Sequence, residues 1–259
     1  MLDYDFMRSA FAAAGLAALL AGSVGFFLVL RGQTFAGHAL SHVGFAGATG
    51  AALFGLSPFA GLLGMTLIAG IGMGFLGEKL SERDVAIGMI LSLSLGLGLL
   101  FLHFFTSAAT QATALLFGNV LGVDDAALWT LGLLTPLSLL ALAFIGRPLL
   151  FASLQGELAE ARGVPVRALS IGFLALVAVA VAESAEIVGV LLVFTLMVGP
   201  AAAALNFSRR LAPAIALSIG LALAQAWGGV ALAYWTDWPT SFWIAMLSGL
   251  VYFASLLRR

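Results

Sequence analysis

"GQTFAGHALSHVGFAGATG", residues 32–50, decides how the chain is read. It carries two of the three histidines, His38 and His42, among small and apolar residues. Side chains at i and i+4 stand one above the other on one face of a helix. The stretch therefore reads as an apolar helix with two imidazoles on one face. Beside them runs a stripe of small residues: Gly37, Ser41, Gly44, Ala48 and Ala51. Such stripes let another helix approach closely in lipid. Ionisable groups inside a span usually face protein or a cavity, so the imidazoles are expected to point inward.

Working outward, the composition says what kind of body holds this helix. The chain has 259 residues, 62% hydrophobic and only 9% charged, with a mean hydropathy of +1.13. A soluble domain carries about 25% charged residues. There is too little polar surface to coat a globule, so the fold class is all-α, a polytopic membrane helical bundle forming a single domain over 1–259. A net charge of −1 gives no case for a nucleic acid partner. Cysteine is absent, which removes disulfides, thiolate ligands and thiol nucleophiles. The opening "MLDYDFMRSAF" lacks a basic n-region, so the first apolar run reads as a retained span.

About 20 apolar residues cross the hydrocarbon core. That ruler gives nine candidates: 8–30, 34–55, 58–77, 85–105, 126–146, 168–183, 186–206, 211–234 and 240–257. The sixth and seventh nearly touch at "VAESAEIVG" and also read as one bent segment, so the expectation is eight to nine spans. The piece 110–122, "TQATALLFGNVLG", is too short to span and reads as re-entrant. With nine spans and the N-terminus outside, ten of the eleven basic residues fall inside, Lys79 among them, and only Arg8 falls outside. Asp3, Asp5, Asp124, Asp125, Glu183, Glu186 and Asp237 then lie in outer segments, and the C-terminus lies inside. The outer "YWTDWPTSFW" supplies an interfacial aromatic belt. No internal repeat is convincing.

Several chemistries are missing. There is no GxxxxGK[ST], no HExxH and no strand-flanked GxSxG, and the single lysine lies in a loop. What remains at depth is the histidine pair, the Glu183/Glu186 pair, and scattered Ser, Thr and Asn. At 1.5 Å per residue from Arg31, His38 lies about 10 Å and His42 about 16 Å into the span. Those depths bracket the bilayer midplane. Three readings stand there: hydrogen bonds to a neighbouring helix, a proton relay, or passage of a metal cation, since two imidazoles suit zinc and its neighbours. His103 reads as an interfacial histidine. Gly199-Pro200 reads as a kink or a hinge in the seventh span.

The longest polar insertion is 147–167, "RPLLFASLQGELAEARGVPVR". Glu157, Glu160 and Ala161 favour helix, Gly163 is a natural stop and Pro165 prevents continuation. A short amphipathic helix and an ordinary charged loop are both open readings.

With these residues in view, the chain resembles the membrane permeases of bacterial manganese/zinc ABC importers. The likeness runs along essentially the whole chain, in order. It is carried by "VLRGQTFAGHALSHVGFAGATG", "ERDVAIGMILSLSLGLGLLFL", "LLFGNVLGV", "ELAEARGVPVRAL", "VGVLLVFTLMVGPAAAA" and "WPTSFWIAML". The resemblance implies a type II-like ABC importer permease in the bacterial cytoplasmic (inner) membrane, working as a homodimer or pseudo-dimer. A separate ATP-binding subunit would dock on the segment around Glu157, Glu160, Ala161, Gly163 and Pro165. A separate extracytoplasmic metal-binding protein would deliver the ion. The chain itself would be no enzyme and hold no tight cofactor. Its cargo would be a divalent metal, zinc or manganese, met by His38 and His42. The family's motif has an acid where this chain has His38, and two nitrogens lean toward zinc.

On that reading the ion enters past Glu183, Glu186 and Asp237, pauses at His38/His42, and leaves as ATPase closure rocks the helices. The glutamates also read as solvated loop carboxylates. A proton-coupled secondary transporter is the leading rival, with a membrane enzyme and a purely structural membrane subunit behind it. The spans carry few carboxylates and no visible two-fold repeat, which weighs against the first rival.

Overall fold

The computed structural model describes Met1 and residues 4–76, 80–104 and 115–258. Asp3, Lys79 and residues 110–114 of the expected re-entrant piece lie outside that set. Among the described residues the chain is helical, with no strand. The helices are α1 (Asp5–Leu30), α2 (Thr34–Leu53), α3 (Pro58–Phe75), α4 (Leu80–His103), α5 (Asp125–Leu154), α6 (Gly156–Ala161), α7 (Val166–Val188), α8 (Val193–Phe207), α9 (Leu211–Thr236) and α10 (Thr240–Leu256).

Six of them are long and apolar enough to cross a membrane: α1, α3, α4 from Arg83, α5, α7 and α9. α8 and α10 are apolar but only 15 and 17 residues long. α2 has 20 residues, diluted in hydropathy by its Gly, Ser, Thr and His content. Eight to nine spans is thus an approximate count.

The ends of the helices follow from local chemistry. Ser57 accepts from the Ala60 amide and Pro58 sits in the first turn of α3, where a missing N–H costs nothing. Asp124 caps α5 by accepting from the Ala127 amide at 2.7 Å. Beyond the end of α1 the chain turns at Gly32, whose φ of +62° only glycine takes freely.

α1 and α7 are the buried centre, while α4 and α5 are mostly exposed. Ile68, Leu93, Leu137 and Phe144 are among the large apolar side chains left outside, as expected where lipid is the solvent. Small residues set the helix contacts. Gly22 of α1 lies against Ser218 and Ile219 of α9, and Ser218 Oγ donates to the Gly22 carbonyl at 2.7 Å. Gly25 lies against the Met197 backbone of α8, and Gly70 and Gly74 of α3 against Leu174 and Ile171 of α7. With no hydrophobic drive between helices in lipid, such close packing is what holds a bundle together.

The sixth and seventh segments are two separate helices, as in the nine-candidate reading, and not one bent segment: α7 and α8, parted at Gly189 (φ +82°). Two expectations change. α7 runs on to Val188, so Glu183 and Glu186 belong to a helix rather than an outer loop. α5 runs through Arg147 and Pro148 to Leu154, so the polar insertion shrinks to the stretch around α6. There the amphipathic-helix reading holds in miniature. Ala159 is buried against Ala152 and Val166, while Glu157 and Glu160 are exposed. Gly163 (φ +79°) ends the turn and Pro165 precedes α7. Pro200 lies inside α8, which continues through it to Phe207.

Candidate functional site

α2 packs mainly on α3 and α4. Its tightest approach is Gly47 to Gly61 of α3: a methyl on Gly47 would meet the Gly61 carbonyl and come within 2.7 Å of Met65 Cβ. Of the expected small-residue stripe, Gly44 faces Leu62 and Thr66, and Ala51 faces Gly61. Ser41 and Thr49 turn their hydroxyls back to their own helix, on the carbonyls of His38 (2.7 Å) and Phe45 (2.9 Å).

His38 and His42 are both half-buried, with ring centroids 4.8 Å apart and planes at 87°. Phe194 of α8 meets the His38 ring edge-on at 5.3 Å. Neither imidazole makes a hydrogen bond among the described residues, and His42 Nδ1 is buried without a partner. The reading in which these histidines tie α2 to a neighbouring helix by hydrogen bonds therefore finds no acceptor or donor among the described residues. Two close imidazoles without protein partners retain nitrogen lone pairs for a cation or a proton. Among the described residues no group of three or more His, Cys, Asp or Glu is gathered to hold a metal. Within the described residues the two imidazoles are thus fewer donors than the four of a closed zinc site.

The acids do not converge on one spot. Glu186 lines two cavities, of about 230 and 280 Å³, between the starts of α3 and α5 and the end of α7, and Asp124 lines both. Glu183 lines neither. It is fully buried, one carboxylate oxygen accepting from Thr135 of α5 and the other unpartnered. Asp237 is exposed at the C-cap of α9, with left-handed backbone (φ 55°). Next to it Trp238 and Trp243 stack at 5.6 Å, and Trp243 Nε1 donates to Thr236. His103 closes α4, away from the pair in sequence, with its ring 5.6 Å from Phe104.

Two contributors escaped the sequence reading. Phe194 was hidden because its apolar run carried no sign of facing His38. Thr135 was hidden because nothing local links it to an acid 48 residues on.

The described part of the expected re-entrant piece, from Leu115, meets the break between α7 and α8 backbone to backbone. The amides of Val190 and Leu191 donate to the carbonyls of Leu115 (3.1 Å) and Leu116 (3.2 Å). Gly118 and Gly189 touch there, both with positive φ.

A family model, the ABC 3 transport family, matches residues 3–259. The chain belongs to the ABC 3 transport family. It is similar to the manganese transport system membrane protein MntC of Listeria innocua, 26% identical over 258 residues, covering 99% of this chain and 92% of that protein. It is similar also to the manganese import system permease protein ScaB of Streptococcus gordonii, 28% identical over 254 residues, covering 98% and 91%. Among solved structures, PsaBC from Streptococcus pneumoniae in complex with Fab superposes with a TM-score of 0.87 at 27% identity, over 98% of this chain and 91% of that one. This ABC 3 family chain is thus a multi-pass membrane protein, similar to a relative named as a permease.

Proposed function

We propose that the chain is the permease of an ATP-driven importer for a divalent transition metal, zinc before manganese, and that His38 and His42 receive the ion. The observation that carries this is the pair itself: two half-buried imidazoles 4.8 Å apart, free of hydrogen bonds among the described residues. The manganese names of MntC and ScaB support a metal cargo. The replacement of an oxygen donor by His38 supports a shift toward zinc.

Two ligands from one chain leave the site incomplete. A second copy of the permease, related by a two-fold axis, would bring another pair, or water would fill the remaining positions. Incompleteness suits transport, because an ion bound too tightly is not released. Glu186 with Asp124 would form the outer vestibule, fed by an extracytoplasmic metal-binding protein. Glu183, buried on Thr135, would position α7 against α5 rather than meet the ion. A cytoplasmic ATPase would dock at α6, around Glu157, Glu160, Ala161, Gly163 and Pro165. The arginine-rich ends would face inward in the inner membrane, with the N-terminus outside and the C-terminus inside.

The deciding experiment replaces both histidines with alanine. Uptake of zinc is expected to vanish while the protein still reaches the membrane. Zinc uptake at the wild-type rate by this variant would remove the site.

A further inference from the structure

At the arginine-rich end of the bundle the helices do not close. A cavity of about 510 Å³ lies between the end of α1, the end of α3, the start of α4, the end of α5, α6 and the start of α7. It falls within the roughly 300–1,000 Å³ range of ligand pockets. Among the described residues three arginines line it, Arg31, Arg83 and Arg167, with one carboxylate, Glu160.

The arginines differ in how far they are satisfied. Arg31 is held in place: its guanidinium donates to Ser153 Oγ (3.2 Å), Ser170 Oγ (2.7 Å) and Gln33 (3.4 Å), and lies over the Phe173 ring at 5.8 Å. Arg83 is 94% buried, yet poorly partnered. Its exposure is 6%, its Nε donates no hydrogen bond, and the Asp84 carboxylate is 3.7 Å away and half exposed. Its one side-chain hydrogen bond among the described residues is a long 3.5 Å contact to the Gly32 carbonyl. Arg167 is exposed, lying over Phe75 at 5.6 Å. A guanidinium withdrawn from water needs charged or polar partners to offset its desolvation. The described protein leaves that need unmet at Arg83.

We infer that this cavity binds a phosphate-bearing anion, with Arg83 and Arg167 as ligands and Arg31 as a fixed positive wall. Arginine's planar fork matches phosphate oxygens two at a time. α7, 23 residues long, begins at the cavity with Val166, so its N-terminal dipole adds to the pull. Leu30, Met73, Phe75 and Leu174 give the same cavity an apolar wall. A basic pocket between spans with apolar sides suits the headgroup of an anionic lipid. Free inorganic phosphate offers the same oxygens without the tail. Because Glu160 of α6 borders the cavity, the bound anion would brace the segment proposed to meet the ATPase.

The test uses the full chain reconstituted in phosphatidylcholine nanodiscs, read by its thermal unfolding midpoint. One arm includes phosphatidylglycerol and another adds inorganic phosphate. A rise of about 4 °C is expected in at least one arm. A rise with phosphatidylglycerol alone assigns a lipid, and a rise with phosphate assigns a free anion. Arg83→Gln and Arg167→Gln should each remove at least half of the rise. Arg162→Gln, exposed at the same end but outside the cavity, should retain it. Arg167 is exposed, so its variant reads out the site even if Arg83→Gln fails to fold. No rise in either arm, or an equal loss with Arg162→Gln, would overturn the site. The readout involves no metal, so it stands or falls apart from the transport reading.

Discussion

Thr135 Oγ1 donates a 2.6 Å hydrogen bond to Glu183 Oε2, joining α5 to α7 where both side chains are buried. The other carboxylate oxygen has no partner. An acid so placed is expensive to keep in a membrane, and this hydroxyl is the one side-chain hydrogen-bond partner of its carboxylate among the described residues.

Removing the hydroxyl while leaving the acid should therefore be worse than removing both. Thr135→Val is expected to destabilise the protein by about 1–3 kcal/mol, since a buried acceptor loses its donor. Pairing it with Glu183→Leu should restore much of that loss, because both polar groups are then gone. Thermal unfolding of the single and double variants in detergent checks the sign. Additive losses would mean that the two side chains do not depend on each other.

The contact of Gly47 with Gly61 makes a second comparison. Gly47→Ala drives a methyl into the Gly61 carbonyl, so α2 and α3 must separate, costing about 1–3 kcal/mol. Gly64→Ala, on the same α3 with nothing within 4 Å, should instead be neutral or stabilising by up to about 1 kcal/mol through helix propensity. Unfolding midpoints of the two variants should move in opposite directions, or the first alone should fall.

The α7–α8 break supplies a third. Gly189→Ala combines a left-handed φ of +82° with a clash against the backbone of Gly118 and Leu116. Each effect is destabilising by itself, so a loss of at least about 2 kcal/mol is expected. Gly163 has a similar φ of +79° but open space around it. Gly163→Ala should show only the backbone part, about 1–2 kcal/mol. Folded yield after size-exclusion chromatography ranks the two.

These contrasts mark what the chain discloses before it folds. Hydropathy found the helices, and the i, i+4 spacing of His38 and His42 put their rings together, because both are local properties of a helix. The dip at "VAESAEIVG" signalled a break, but placed it at the charges. The break lies at Gly189, because Glu183 finds Thr135 and stays inside α7. Likewise Arg147 and Pro148 suggested an end to α5, yet the helix continues to Leu154. The cavity around Arg83 was invisible, since Arg31, Arg83 and Arg167, far apart in sequence, looked like ordinary inner-face charges. Local pattern encodes each helix, whereas these partners are fixed by which helices meet.

The last prediction concerns metal choice. His38 and His42 give two borderline nitrogen donors, and exchanging one for a carboxylate oxygen makes the pair harder. His38→Asp should leave the protein folded, because His38 makes no side-chain hydrogen bond among the described residues and is only half-buried. The ratio of manganese to zinc uptake should rise in a competition assay. A donor exchange of about 1.4 kcal/mol is tenfold in that ratio. Zinc remains ahead of manganese for either donor set in the Irving–Williams order, so the variant should narrow the preference rather than invert it. An unchanged ratio, with uptake intact, would show that His38 does not select the ion, and the pair's chemistry would then rest on His42.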